Sequence, residues 1–333
     1  MKNAAQAILM TVILSALGVF ALLGLGKEFN LAAFSSLVQI YPLWAIVFVV
    51  VVVSWWLSAG WRIQLLSNSP NVSLWRATRA FLLYLFGASV TPNASGANVA
   101  MAWYLAQYTN AKRGTAVAVF TLALDLTLYA YALPLAFIYL QWQGIDLKLP
   151  VVGSLLGIFV GLGMVGAIAL AYGLAFQAHR LEQLLGFIFQ IKFLQRFQNG
   201  VIQFVRETAE AMQQMRTMPF LTQLKLHFAT ALSFFLHLIA ANLVLAALGL
   251  TVHHGGLIAA QVILVFFGFF IPTPGGAGYY EVVLGTTGAA LGVAPQAIVP
   301  FVLIWRILSY YLYVLIGPFI GGQVILAKAQ KVT

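Results

Sequence analysis

Three ionisable residues stand alone inside long apolar runs: Asp125 in "TLALDLTLY", Glu281 just after "IPTPGGAGYY", and Arg306 in "VLIWRILSYY". An isolated charge at the centre of an apolar span costs at least about 2.5 to 3.5 kcal/mol, so such residues are functional candidates by default. Two kinds of chemistry suit the set. One is an ion pair that locks two helices, Arg306 with Glu281 or with Asp125. The other is a site for a polar head group or a proton, and a pair that rearranges serves both. The neighbouring backbone bears on the second. Pro272, Pro274, Gly275, Gly276 and Gly278 interrupt the run from Phe266 to Leu284, and Pro92, Asn93, Gly96 and Asn98 mark a second interruption in "TPNASGAN". A broken helix facing lipid leaves N–H and C=O groups unpaired at several kcal/mol each. Each break is therefore expected to be buried in protein or to line a polar cavity. Glycines there admit close approach, and a half-helix starting near Gly278 would turn its positive end toward the cavity, a seat for an anion.

The elements that must position these residues follow from composition. The 333-residue chain is 62% hydrophobic and 7% charged, against roughly 25% charged in a globular domain. It reads as an all-α polytopic membrane protein. Without cysteine there are no disulfides, no thiolate catalysis and no cysteine-ligated zinc. No phosphate loop with its lysine, nucleophile elbow or HExxH is present, so no catalytic residue, metal site or cofactor is expected. His253 and His254 read as solvated residues of a short outer loop, and His227 and His237 as helix-packing residues.

A span needs about 20 apolar residues. Six stretches qualify, at 7–25, 42–61, 115–140, 151–175, 226–248 and 297–325, the first too long for a signal peptide and read as a retained helix. Segments 77–108 and 257–292 are each broken in the middle and read as two half-length helices. If both are re-entrant hairpins and the N-terminus is cytoplasmic, the cytoplasmic side collects Lys2, Arg62, Arg76, Arg79, Lys112, Arg113 and nearly all later basic residues, while Lys27 and Lys148 lie outside. That satisfies the positive-inside rule and explains the net charge of +10 without a nucleic-acid partner. The order span, span, hairpin, span then occurs twice, in a first repeat (1–140) and, past an outer loop (141–150), in a second (151–325), ahead of a cytoplasmic tail (326–333). Three crossings per repeat invert the second relative to the first, the architecture of many secondary transporters. Pro92 and Gly96 correspond to Pro274 and Gly278, and Asp125 and Arg306 follow at similar distances. Residues 176–225 suit an amphipathic helix pair on the anionic cytoplasmic leaflet or a solvated connector.

The motif "IPTPGGAGYYE" resembles the P-x-P-G-G-x-G-x-x-E signature of the flippase-like, lysylphosphatidylglycerol synthase transmembrane-region family. "WRIQLL", "TPNASGANVAMAWYL", "LDLTLY" and "WRILSYYLYVLIG" fit in the same order along nearly the whole chain. The family includes the membrane half of the bacterial multiple peptide resistance factor, which moves aminoacylated phosphatidylglycerol to the outer leaflet. The resemblance implies a lipid translocase of the bacterial inner membrane, both termini cytoplasmic. It points to Pro272, Pro274, Gly275, Gly276, Gly278 and Glu281, and more loosely to Asp125 and Arg306. Two features depart from the family. The first hairpin has Asn93, Ala94, Ala97 and Asn98 where charged residues are common, and the soluble aminoacyl-transferring domain is missing, so lipid synthesis is not expected. The expected function is movement of a phospholipid or other polar-headed lipid. The alternatives are a non-transporting accessory of a lipid-modifying enzyme, and a lipid-linked transferase.

Overall fold

The structure is a computed structural model and describes residues 41–145, 177–190, 195, 198–269 and 271–329. The spans expected at 7–25 and 151–175 lie outside the described residues. Among the described residues the fold is all-helical, and four helices are long and apolar enough to cross a membrane.

The first described helix, α1 (Pro42–Ser67), opens on a proline, whose fixed φ suits the first helical turn. It closes on Asn68 in the left-handed conformation, whose N–H returns to the Gln64 carbonyl. The expectation placed the end of this span at 61 and Arg62 in a cytoplasmic loop. That is corrected: the helix continues through Ser67 and Arg62 is buried within it. The continuing apolar residues Ile63 and Leu66, both buried, carry the helix past the charge.

Helix α2 (Leu74–Val90) is capped by the Ser73 hydroxyl, which accepts from the Arg76 N–H. It ends in a tight turn, Pro92–Ala94, and the chain returns as α3 (Gly96–Leu105). The two legs touch because Gly87 and Gly96 have no side chains; a Cβ on Gly87 would meet the Gly96 carbonyl. At the open end of this hairpin the Arg76 guanidinium lies 4.5 Å over the Tyr108 ring. Helix α4 (Ala111–Trp142) starts beside it, capped by Asn110. Its Arg113 donates to the Ser67 and Leu66 carbonyls at 2.9 and 3.3 Å, satisfying the last turn of α1.

Where an amphipathic segment was expected there are two helices, α5 (Ala178–Ile188) and α6 (Gln198–Arg216). Arg206 pairs with Glu182 at 2.9 Å, and this hydrogen-bonded guanidinium holds the Glu182 carboxyl below the usual carboxylate range. The apolar face of α6 packs on α4, burying Val205 and Ala209.

Helix α7 (Phe220–Ala247) runs antiparallel to α1: the Tyr41 N–H donates to the Ala247 carbonyl at one end, and Trp61 meets Phe228 toward the other. Then come α8 (His254–Gly268), a second tight turn at Pro274–Gly276, and α9 (Tyr279–Ala290). The legs of this hairpin begin and end together, the His253 N–H donating to the Leu291 carbonyl at 3.3 Å. His253 also caps α8, its Nδ1 accepting from the Gly256 N–H, and His254 contacts Asn242; both remain exposed. Last are α10 (Pro295–Arg306), one π-helical turn (Ile307–Tyr311) and α11 (Leu312–Ala329), together the span expected at 297–325.

The two hairpins thus open toward opposite ends of the bundle, and their turns pack on each other. The turns share a backbone. Thr91 and Thr273 are extended; Asn93 (φ 53°, ψ 26°) and Gly275 (φ 58°, ψ 19°) are left-handed, followed by Ala94 (φ 52°) and Gly276 (φ 63°). The Ser95 N–H closes on the Pro92 carbonyl and the Ala277 N–H on the Pro274 carbonyl. Buried apolar residues form two clusters. One gathers the later part of α1, α2, α3 and the first half of α4, with Leu226 of α7 and Tyr313 and Ile320 of α11; the other gathers Phe48 and Val52 of α1, α7 to α10 and the second half of α4.

Candidate functional site

A cavity of about 200 Å³ lies where the two turns meet. Helical spacing explains its walls. Phe81, Tyr84, Leu85, Ala88 and Ser89 form one stripe of α2, Asp125 and Tyr129 stand one turn apart on α4, and Thr230, Ser233 and His237 form a polar row on α7. Trp55 and Arg62 contribute from α1, Tyr280 from α9 and Tyr310 from the π turn. The turns supply Ala94, Gly275 and Gly276. The walls are largely aromatic, with a few convergent polar groups, the usual make-up of a small-molecule site.

One ion pair faces this space. Arg62 Nη1 donates to Asp125 Oδ1 at 2.5 Å and Nη2 to Oδ2 at 3.4 Å. The two ends are unequally covered: the Arg62 side chain is 4% exposed and that of Asp125 24%. Arg62 Nε is buried without a hydrogen-bond partner. A second ion pair lies behind the turn. Arg306 Nε is 2.8 Å from Glu281 Oε1, both side chains being almost completely buried. Arg306 also donates to the Gly275 carbonyl at 3.1 Å, and its guanidinium lies 4.5 Å over the Tyr310 ring. The other carboxylate oxygen, Glu281 Oε2, accepts from the Gly278 N–H at 2.8 Å. Glu281 therefore occupies the helix N-terminus where sequence reasoning would seat an external anion, and the charge it brings is neutralised by Arg306.

The expected residues separate accordingly. Asp125, Gly275 and Gly276 line the cavity. Arg306 and Glu281 pair with each other and not with Asp125, and act on the cavity from behind by anchoring the second turn. Pro92, Asn93 and Pro274 shape the turns, Gly96 allows the first hairpin to close, and Gly278 takes φ 85° at the start of α9. Asn98 lies on α3 with its Oδ1 buried, and Pro272 precedes the second turn; neither lines the cavity. Two residues that line the cavity are not singled out by the sequence: Arg62 follows an apolar run, where a loop is expected, and His237 reads as a helix-packing residue. The signal for His237 is the row Thr230, Ser233, His237, one face of the apolar middle of the helix.

Comparison with curated proteins and with solved structures returned no match. Comparison with family models matched residues 8–317 to the lysylphosphatidylglycerol synthase TM region. That match covers nearly the whole chain, including both turns, both ion pairs and the cavity, and the protein therefore belongs to the lysylphosphatidylglycerol synthase transmembrane-region family.

Proposed function

We propose that this protein is a lipid translocase rather than an enzyme, moving a phospholipid or other polar-headed lipid between leaflets. The observation that carries this reading is the cavity between the two turns, with the Arg62–Asp125 pair in an aromatic wall. Its volume suits a head group and not a whole lipid, so the acyl chains would stay in the bilayer while the head group crosses. The hairpins are taken as re-entrant and as parts of an inverted repeat comprising residues 1–140 and 151–325. The shared backbone of the two turns and the opposite openings of the hairpins support this. Alternating access would rock the two repeats about the cavity. The setting is the bacterial inner membrane with both termini cytoplasmic, and α5 and α6 rest on anionic lipids of that face, where the exposed Leu184 and Phe187 supply an apolar contact.

The test is reconstitution of the purified protein in liposomes carrying labelled phospholipids. Transfer of label between leaflets, absent from protein-free vesicles, is expected. No transfer of any phospholipid would overturn the proposal and leave the role of accessory to a lipid-modifying enzyme.

A further inference from the structure

We propose that the cavity takes a zwitterionic phospholipid head group of the phosphoethanolamine type, its ammonium on Asp125 and its phosphate on Arg62. This rests on the translocase reading and names the class of lipid loaded into the same cavity.

The ion pair that faces the cavity is built unevenly. Asp125 Oδ1 is held by Arg62 Nη1 at 2.5 Å, whereas Oδ2 is reached by Nη2 only at 3.4 Å, beyond the usual range of such a bond. Asp125 is also the more open member, 24% exposed against 4% for Arg62. Its second oxygen thus keeps acceptor capacity, and Nη2 is the donor most easily released. The rings around the pair favour a cation beside that oxygen. Tyr84 and Tyr129 stand in the electrostatic field of Asp125, and Trp55, Phe81 and Phe234 continue the lining. The negative face of an aromatic ring attracts an ammonium and does nothing for a phosphate.

Charge balance excludes head groups of a single sign. Among the described residues that line the cavity, Asp125 and Arg62 are the carboxylate and the guanidinium, with no lysine or second acid beside them. Glu281 and Arg306, behind the turn, neutralise each other. A phosphodiester alone can bind Arg62 only by displacing Asp125, which leaves a carboxylate uncompensated in an aromatic enclosure. A head group of net positive charge, such as that of lysylphosphatidylglycerol, brings one cation more than the cavity can answer. Phosphoethanolamine carries one charge of each sign on a short ethylene link. Its ammonium takes Asp125 Oδ2, Arg62 Nη2 turns to its phosphate, and the enclosure is neutral before and after.

The experiment uses the full chain in liposomes containing labelled phosphatidylethanolamine, phosphatidylglycerol or lysylphosphatidylglycerol, each followed between leaflets. Phosphatidylethanolamine transfer is expected to exceed the other two by about tenfold or more. Variants of the pair should redirect the choice, and the ratio of transfers within one preparation reads this however much protein accumulates. Asp125→Asn leaves the guanidinium alone and should turn the preference to phosphatidylglycerol. Arg62→Met leaves the carboxylate alone and should turn it to lysylphosphatidylglycerol. Binding gives a reading independent of transport: short-chain phosphatidylethanolamine should raise the melting temperature of the native chain in detergent more than short-chain phosphatidylglycerol does. Phosphatidylglycerol or lysylphosphatidylglycerol moving as fast as phosphatidylethanolamine, an unaltered preference in either variant, or equal stabilisation by the two short-chain lipids would each overturn the proposal. Transfer without this preference removes the proposal alone; no transfer of any phospholipid removes the translocase reading with it.

Discussion

Two buried ion pairs behave differently at the scale of single residues because their partners are unequally covered. Removing one member of a buried pair strands the other, at about 3 to 5 kcal/mol, whereas removing both is far milder. Arg62 is the more enclosed member of its pair. Asp125→Asn, which strands Arg62, should therefore lower the melting temperature in detergent more than Arg62→Met, which leaves Asp125 facing the cavity. Equal losses would show that the cavity gives Asp125 no relief. Glu281 and Arg306 are both enclosed, so either single change, Glu281→Gln or Arg306→Met, should sharply reduce accumulation in the membrane. The double variant should recover it, since a glutamine can still accept from the Gly278 N–H. A double variant accumulating as poorly as Arg306→Met would mean that the Arg306 contacts to Gly275 and Tyr310 matter more than the neutralisation of charge.

The two turns set the scale of elements. Both require left-handed backbone at consecutive positions, and the second meets the requirement with glycines while the first uses Asn93 and Ala94. Asparagine tolerates this conformation; alanine does so at about 1 to 2 kcal/mol. Ala94→Gly is thus expected to raise the melting temperature, by the equivalent of about 1 kcal/mol once the added chain entropy of glycine is counted. A fall would show that the first turn relies on the Ala94 methyl against the cavity. Gly276→Val carries the opposite sign. Its φ of 63° disfavours a branched side chain, and its Cβ would press on the Tyr280 ring. The turn should distort while the long helices still insert, so lipid transfer should fall with accumulation largely preserved. Full transfer by this variant would remove the second turn from the proposed pathway.

At the scale of the whole molecule, the helices order the chain between two ends. The Ser67 end gathers the open mouth of the first hairpin, the start of α4, and Arg79, which donates to Gln323. The Tyr41 end gathers the end of α7 and the mouth of the second hairpin. The basic residues 76, 79, 112 and 113 lie at the first of these, the end that the proposed topology turns to the cytoplasm. Cysteines introduced at Lys112, Gln198 and Lys328 should be shielded from an impermeant reagent added outside, and ones at Lys27, Lys148 and His253 should react. Labelling at 112 from outside would end the assignment of the first hairpin as re-entrant, and with it the inverted repeat.

Among the described residues the long helices and both breaks were legible in the amino-acid sequence, because hydrophobic run length and the backbone limits of proline and glycine act locally. The start of α7 at Phe220 and of α4 at Ala111 precede the expected 226 and 115 by between one and two turns, since polar caps and flanking residues continue a helix beyond its apolar stretch. Membrane class and the candidacy of Asp125, Glu281 and Arg306 were legible on the same grounds, and the family through the resemblance of its motifs. Partnership was not. Asp125 and Arg306 occupy corresponding places after their breaks, yet each pairs with a residue brought to it by packing: Arg62, 63 positions before Asp125, and Glu281 on the neighbouring hairpin. An ion pair is fixed by distances of a few ångströms across helix faces, and spacing along one chain does not contain them. The same holds for His237, whose stack on Trp55 and place in the cavity arise only when α1 and α7 pack antiparallel.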